Sequence, residues 1–425
     1  MKRVAKERWK SKRKKRFGEI PIVEMEDYQE MRMDTKAELI QTLIPLGLMH
    51  ISGLLQEEVR SLAGERYGRE GREPGVVRYG TNPGSVRLGG QRMPLKIPRV
   101  RNLQTQQEIE LKTLEALRNA GETDETLFRR VFCGISCRDY EGAAEAIPGA
   151  LGLSPSTISR HFVKASARQL QEFQERPLSE YDLVALVLDG KTLAEDTMVI
   201  ALGVTLGGQK VPLGFVQTST ENGKSLTQFL QGLLERGLRV EQGILVVVDG
   251  GKGLLHAVKK TLDSRAVIQR CQWHKRENVV SYLPKGEQDY WRRRLQQAYN
   301  RPTYPEAKGA LEQIQKELEQ YNLNAAASLA EGLEETLSLH RLGVFALLGH
   351  SLKTTNALES IHSQIEARCR KVCYWKTSQQ KQRWLAACLL DIEPRLYRIN
   401  GYLHLPLLRQ ALQQELGIQL RKEVA

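Results

Sequence analysis

The middle of the chain alternates between continuous apolar blocks and blocks with helical spacing. Continuous, β-branched apolar runs predict strands, whereas apolar residues at three- and four-residue steps predict helices. The predicted strands are 183–188, 198–206, 211–216, 244–248 and 266–268, and the predicted helices are 226–234 and 253–262. The predicted order is therefore β-β-β-α-β-α-β.

A sheet built in this order is mixed, because the first three strands can form a meander and the later strands join through helical crossovers. The order is that of the ribonuclease-H-like fold. Residues 278–349 are rich in Leu, Gln, Glu and Arg and predict helices that interrupt the sheet domain, and residues 354–419 are also predicted to be helical. We therefore predict an α/β protein with a ribonuclease-H-like mixed sheet and a helical insertion.

The residues before the sheet have a different pattern. Residues 35–62 and 108–130 have helical spacing, and between them Gly and Pro punctuate the short apolar stretches of residues 71–101. This punctuation predicts a small β-rich or extended element. We predict a mostly helical N-terminal DNA-binding region.

Residues 139–167 predict a short helix, a Gly-containing turn and a second helix, which is the order of a helix-turn-helix. Ser154 can cap the second helix, and its first residue, Pro155, needs no N–H group there. Short helix pairs also occur in bundles that bind no DNA. The candidate DNA contacts of the second helix are Ser156, Thr157 and Arg160.

Length and composition set the broad class. A chain of 425 residues with 41% hydrophobic and 27% charged residues is typical of a globular protein, and its length suggests roughly two to four domains. The predicted divisions are a basic arm (1–34), the N-terminal region (35–175), the first part of the sheet domain (180–277), the helical insertion (278–350), and a core helix with C-terminal helices (351–425).

Several classes of protein are excluded by the same pattern. The apolar runs near the motifs are far shorter than the ~20 residues that cross a bilayer, so no membrane partner is expected. The basic N-terminus is not followed by the apolar segment of a secretory signal. The 6 cysteines are too few for a disulfide scaffold, so a reducing, intracellular compartment is expected.

The net charge of +13 is unevenly distributed, because residues 1–17 hold ten Lys or Arg and one acid. A basic arm of this kind attracts a polyanion such as nucleic acid, in a salt-dependent manner. A disordered, solubilising terminus is an equal alternative.

Two aspartates follow the apolar runs of predicted neighbouring parallel strands. Asp189 and Asp249 each precede a glycine, which lets substrate or backbone approach closely. Carboxylates that converge at a sheet edge suit Mg²⁺, and two such ions can clamp the oxygens of a phosphodiester during cleavage. An Asp-Gly pair can also merely start a turn, but two pairs in this fold context favour the metal site.

The third acid is not fixed by the pattern. Glu359 lies three residues after Asn356, where a helix is predicted to begin, so it could serve as the glutamate of a capping box. A compact arrangement would instead use an acid soon after Asp249, such as Glu277 or Glu287.

Four motifs in this order resemble the bacterial insertion-sequence transposases related to eukaryotic Mutator elements. They are Leu188-Asp-Gly, Val248-Asp-Gly-Gly-Lys-Gly-Leu, Gln269-Arg-Cys-Gln-Trp-His-Lys-Arg-Glu-Asn and Thr354-Thr-Asn-Ala-Leu-Glu, and the likeness spans residues 35–400. The resemblance implies a DDE catalytic triad and metal site of Asp189, Asp249 and Glu359, with the helical insertion before the glutamate. Mg²⁺ is the expected cofactor, and Mn²⁺ is an alternative.

The family that the chain resembles also has a characteristic Cys-x-x-His motif, which Cys271 and His274 match in this sequence. Cys271 is expected to pack behind the site and His274 to contact phosphate or DNA. Arg276 is shifted by one position from the family pattern, so no role is carried over to it.

Two further basic stretches fit DNA handling, although solvated helix faces explain them equally well. An aromatic residue that could stack on an unpaired base, Trp291, precedes the first of them. The candidate contacts are Arg292, Arg293, Arg368 and Arg370.

The leading hypothesis is a transposase that binds the terminal inverted repeats of its element and target DNA. It is expected to act as a homo-oligomer, at least a dimer on DNA, in the cytoplasm at the bacterial nucleoid. A structure-selective nuclease or resolvase that cuts without joining, and a non-catalytic DNA-binding descendant of a transposase, stay open as alternatives.

Overall fold

The described part of the chain forms two compact units. The computed structural model describes residues 33–68, 73–88, 91–118, 128–133, 154–218, 223–370 and 372–418. The first unit contains the described residues up to 118 together with 154–157, and the second contains 128–133 and 158–418. The basic arm, apart from its last two residues, and the first helix of the predicted helix-turn-helix lie outside the described residues.

The first unit packs helices against a small antiparallel sheet. Its elements are α1 (Met33–Ala63), β1 (Val76–Leu88), β2 (Gln91–Asn102), β3 (Glu108–Ile109) and α2 (Lys112–Arg118). The strands pair in the order β1-β2-β3. The core between the helices and the sheet includes Leu55, Val59, Val76, Val86 and Val100. The hairpin of β1 and β2 confirms the predicted β-rich element.

The helix predicted over residues 108–130 is wrong at its start. Glu108 and Ile109 form β3, which pairs with Arg101 and Val100 of β2. The edge of β2 offers unpaired backbone N–H and C=O groups, so this pairing overrides the local helical spacing. Within the described residues, helix is limited to Lys112–Arg118 and 128–132 in this segment.

A five-stranded mixed sheet forms the centre of the second unit. Its strands are β4 (Leu183–Leu193), β5 (Asp196–Thr205), β6 (Lys210–Thr218), β7 (Ile244–Val248) and β8 (Ala266–Arg270), in the order β6-β5-β4-β7-β8. The pairs β4–β5 and β5–β6 are antiparallel, whereas β4–β7 and β7–β8 are parallel. With α4 (Gly223–Glu235) and α5 (Lys252–Leu262) between the later strands, the predicted order of strands and helices is confirmed.

Helices surround this sheet and complete the second unit. α3 (Pro155–Glu175) begins at Pro155, as predicted, and leads from the first unit into the second. The later helices are α6 (Gln272–Ser281), α7 (Gln288–Tyr299), α8 (Tyr304–Tyr321), α9 (Leu323–Ala330), α10 (Leu333–Thr336), α11 (Ser338–Arg341), α12 (Phe345–Leu352), α13 (Asn356–Cys369), α14 (Ser378–Ile392) and α15 (Leu405–Glu415). Short 3₁₀ turns occupy Asp263–Arg265, Glu393–Arg395 and Tyr402–His404.

The helices between β8 and α13 have their own apolar core, which includes Leu295, Leu311 and Leu329. Their presence confirms the helices predicted for residues 278–349. Among the described residues, none of the helices combines the length and the apolar character needed to cross a membrane.

A buried glutamine ties these helices to the sheet. Gln269 of β8 is fully buried. Its Oε1 accepts a hydrogen bond from the backbone N–H of Leu339 (3.0 Å), and its Nε2 donates to the carbonyl of Thr336 (2.8 Å). One amide side chain therefore satisfies backbone groups at the junction of α10 and α11 that water cannot reach.

Replacing Gln269 with leucine should destabilise the second unit, because the N–H of Leu339 would stay buried without an acceptor. We expect Gln269→Leu to lower the free energy of unfolding by about 1–3 kcal/mol in urea denaturation followed by circular dichroism. The matched control is Gln313→Leu, at an exposed glutamine of α8. Equal stability of the two variants would show that the hydrogen bonds of Gln269 contribute nothing.

Candidate active site

Two aspartates emerge side by side at one edge of the mixed sheet. Leu188 of β4 is in register with Val248 of the parallel strand β7, so Asp189 and Asp249, the next residues of the two strands, follow at neighbouring positions. The prediction that each aspartate ends its strand is right for Asp249 and wrong for Asp189. β4 continues to Leu193 because its other neighbour, β5, offers pairing partners over this stretch.

The turn after β7 is shaped by a glycine and fixed by the aspartate itself. Gly250 has φ +101°, a backbone conformation that favours glycine. The backbone N–H of Gly251 donates to Oδ1 of Asp249 (2.9 Å). The side chain of Arg270 lies beside Gly250. A Cβ atom added to Gly250 would be 3.6 Å from Cδ of Arg270. The carboxylate of Asp249 is thereby held in place by its own turn.

Hydrogen bonds bring the start of α13 to the same sheet edge. The N–H of Cys271 donates to the carbonyl of Val248 (2.7 Å), and the N–H of Gln272 donates to the carbonyl of Lys353 (3.0 Å). The hydroxyl of Thr355 contacts Sγ of Cys271 at 3.8 Å. These contacts connect the end of β7 to the residues just before α13, which packs against β4.

The electrostatics of Asp189 place the third acid near it. Burial raises the pKa of Asp189 to about 7, nearby His274 opposes the rise, and the carboxylates of Asp249 and Glu359 add to it. Glu359 belongs to α13, which packs against β4. β4, the turn after β7 and α13 each carry one of the three candidate acids.

The alternative acids have other partners. Glu277 forms ion pairs with Arg276 and Arg292 (3.0 and 2.9 Å). Glu287 accepts a hydrogen bond from the hydroxyl of Tyr321 (2.7 Å). Both carboxylates therefore hold the helices after β8 together.

Glu359 does not act as the glutamate of a capping box. α13 begins at Asn356 with Thr355 at the N-cap, and the cap makes no side-chain hydrogen bond. Oε1 of Glu359 is buried without a hydrogen-bond partner among the described residues. The alternative in which Glu359 caps the helix is therefore wrong.

The Cys-x-x-His motif lies behind and beside the two aspartates. Cys271 is fully buried, in agreement with its predicted place. For His274, burial opposes protonation, but the neighbouring Cys271 and the carboxylates of Asp189 and Asp249 raise its pKa to about 9. These neighbours favour the protonated form of His274, which would offset part of the negative charge of the site.

A second histidine lies at the site and was missed by the sequence analysis. His362 of α13 is 9% exposed, and its Nδ1 lies 3.9 Å from Oδ2 of Asp189. Burial, assisted by the charge of Lys191, lowers the pKa of His362 to about 4. The available signal was its position three residues after Glu359, which places both side chains on one side of a helix.

The donor set suits a hard cation. Within the described residues, no three His, Cys, Asp or Glu side chains stand close enough together to form a ready-made metal site. Like-charged carboxylates repel one another, so a divalent ion would have to draw them together. The unpartnered Oε1 of Glu359 and the strongly desolvated Asp189 are groups that such an ion would stabilise.

The predicted DNA contacts fall into two groups. Arg292 is paired with Glu277 and Asp289, and Arg368 with Asp391. The exposed or partly exposed candidates are Ser156, Thr157, Arg160, Arg293 and Arg370.

Trp291 is 6% exposed and belongs to the core of the helices after β8. The prediction that it stacks on an unpaired base is therefore wrong. Burying this large apolar ring stabilises the helices more than exposing it would.

The comparisons with known proteins all point to the same family. The sequence model described as "Transposase, Mutator family" matches residues 21–396. The transposase for insertion sequence element IS905 of Lactococcus lactis is 28% identical over 352 residues, which cover 80% of this chain and 86% of that protein. The transposase for insertion sequence element IS256 in transposon Tn4001 of Staphylococcus aureus is 27% identical over 290 residues, which cover 64% of this chain and 70% of that protein. The chain belongs to the Mutator family of transposases.

Proposed function

We propose that the chain is a DDE transposase that cleaves DNA at the ends of an insertion sequence and joins those ends to target DNA. The observation that carries the proposal is the register of β4 and β7, which places Asp189 and Asp249 at neighbouring positions on the sheet edge where α13, with Glu359, packs against β4. Family membership supports the activity on DNA. The strand order β6-β5-β4-β7-β8, with one antiparallel and one parallel half, supports a ribonuclease-H-like catalytic core.

The chemistry follows from the three carboxylates. Two Mg²⁺ or Mn²⁺ ions bound among them would orient the attacking and leaving oxygens and neutralise developing charge. Asp189 lies on β4, Asp249 in the turn directly after β7, and Glu359 on the packed helix α13, so side-chain movement alone would bring their carboxylates onto an ion. The carboxylates of Asp189 and Asp249 raise the pKa of His274 in α6, and its protonated form would offset part of their negative charge.

Two successive displacements complete the reaction. In cleavage, water adds to a phosphorus atom at the element's end and the bond to the 3′-oxygen breaks, which leaves a 3′-hydroxyl and a 5′-phosphate. In strand transfer, this hydroxyl attacks a phosphodiester of the target DNA and displaces another 3′-oxygen. Both steps place a substrate oxygen in line with the leaving group, so one site can perform both.

DNA recognition is assigned to other parts of the chain. We propose that the basic arm and the N-terminal region, including Ser156, Thr157 and Arg160, bind the terminal inverted repeats. Arg293 and Arg370, which are exposed, are the stronger candidates for phosphate contacts near the core. At least two protomers are needed to hold both ends of an element.

Replacing one carboxylate of the triad should separate catalysis from binding. We expect Asp189→Asn to reduce cleavage and strand transfer by at least about 10³-fold, because the ion loses a charged ligand. Binding of terminal-repeat DNA should change by less than about twofold in a gel-shift assay. The matched control is Asp182→Asn, which changes an aspartate just before the opposite end of β4.

Wild-type strand transfer by the Asp189→Asn variant would refute the proposed site. DNA whose element ends are already nicked distinguishes a transposase from a nuclease or resolvase. A nuclease or resolvase would cut intact ends but would never join nicked ends to target DNA. Joining of nicked ends by the wild type is the expected result.

Removing divalent ions should abolish both steps. We expect no cleavage or strand transfer in EDTA, and recovery on addition of Mg²⁺ or Mn²⁺, because the carboxylates alone cannot stabilise the leaving oxygen. Isothermal titration calorimetry should detect ion binding by the wild type and weaker binding by the Asp189→Asn variant. Turnover in EDTA at the wild-type rate would contradict this prediction.

A further inference from the structure

A ladder of polar side chains joins α13 to β4 at the candidate active site. Glu359, His362 and Glu366 follow one another at three- and four-residue steps, so they share one side of the helix. Asp189 and Lys191 are two residues apart in β4, so they share one face of the strand. Nδ1 of His362 lies 3.9 Å from Oδ2 of Asp189, and Nζ of Lys191 lies 3.2 Å from Oε2 of Glu366. The middle of the ladder is therefore occupied by His362.

His362 is buried without the contacts that a structural histidine makes. Its exposure is 9% and that of Asp189 is 6%. A separation of 3.9 Å is too long for a hydrogen bond. Nε2 of His362 and Oε1 of Glu359 are both buried without a hydrogen-bond partner among the described residues. By contrast, buried His340 contacts the carbonyls of Tyr299 and Arg301 through its Nε2 (3.2 and 3.1 Å).

The spacing fits a shared ion better than a direct contact. Adjacent ligands that each lie about 2.1 Å from one octahedral ion are about 3.0 Å apart. The Asp189–His362 separation of 3.9 Å exceeds this by an amount that side-chain rotation can close. An ion bound by Nδ1 of His362 and Oδ2 of Asp189 would also offer a partner to the buried Oε1 of Glu359.

We propose that His362 is a nitrogen ligand of the ion held by Asp189 and Glu359, and that it makes this position prefer Mn²⁺ to Mg²⁺. Imidazole nitrogen favours transition-metal ions, whereas Mg²⁺ prefers oxygen ligands. This inference rests on the proposed function, which supplies the carboxylates and the ion but gives His362 no role.

The test measures ion binding directly on the full-length protein, alone and with its terminal-repeat DNA. Electron spin-echo envelope modulation of bound Mn²⁺ reports a directly bound nitrogen. We expect nitrogen modulation in the wild type and its loss in His362→Ala and His362→Gln. The matched control is His350→Ala, which removes an exposed histidine of α12 and should retain the modulation.

Calorimetry supplies a second readout. We expect His362→Gln to weaken Mn²⁺ binding by about tenfold or more while Mg²⁺ binding changes by less than about threefold, because glutamine can offer an oxygen in place of the nitrogen. Melting temperatures of the variants identify a folding defect. A histidine with a purely structural role would weaken the binding of both ions by the same factor.

Three results would overturn the inference: no nitrogen modulation in the wild type, modulation that persists in both His362 variants, or an equal loss of affinity for both ions in His362→Gln. Failure of the proposed function has a different signature. It would appear as wild-type strand transfer by Asp189→Asn, an assay of DNA products that does not depend on the nitrogen signal.

Discussion

Backbone hydrogen bonds link the end of β7, the residues after β8 and the chain just before α13, and they position the candidate site. Val248 and Cys271 join the end of β7 to the residue after β8, while Gln272 and Lys353 join the first turn of α6 to the chain before α13. Each bond is made by the backbone, so it depends on the path of the chain more than on side-chain identity. The chain that leads into α13, and so to a glutamate more than one hundred residues after Asp249, is thereby anchored at the same sheet edge.

Bringing carboxylates into a buried sheet edge has an electrostatic cost. Burial and neighbouring acids raise the pKa of Asp189, which means that its charged form is destabilised in the isolated protein. His274 offers partial compensation, since the same carboxylates raise its own pKa. A divalent ion would stabilise the charged form of such a carboxylate, so the raised pKa of Asp189 and the proposed cofactor have the same physical cause.

The helices between β8 and α13 contribute support and carry several of the basic residues that the sequence suggested for DNA. Arg270 extends from β8 to Glu335 (2.7 Å), and Lys275 donates to the carbonyls of Ser328 and Glu331. Arg270 also lies against Gly250, directly after Asp249. A network of charged side chains that joins β8 to these helices therefore supports the turn that holds Asp249.

The sequence by itself determined the strand order, because its apolar runs are short, β-branched and separated by glycines or by segments with helical spacing. It also located the two aspartates, because two of these runs lead directly into an Asp-Gly pair. The third acid could not be derived from spacing alone, since Glu359 is equally placed to cap a helix, and only the resemblance to transposases pointed to it. Tertiary structure decided what local pattern leaves open: that β4 continues past Asp189, that residues 108–109 pair as a strand, that Trp291 is buried, and that His362 faces Asp189. Each of these depends on contacts between residues distant in the chain, whose energies are not encoded in the periodicity of any one segment.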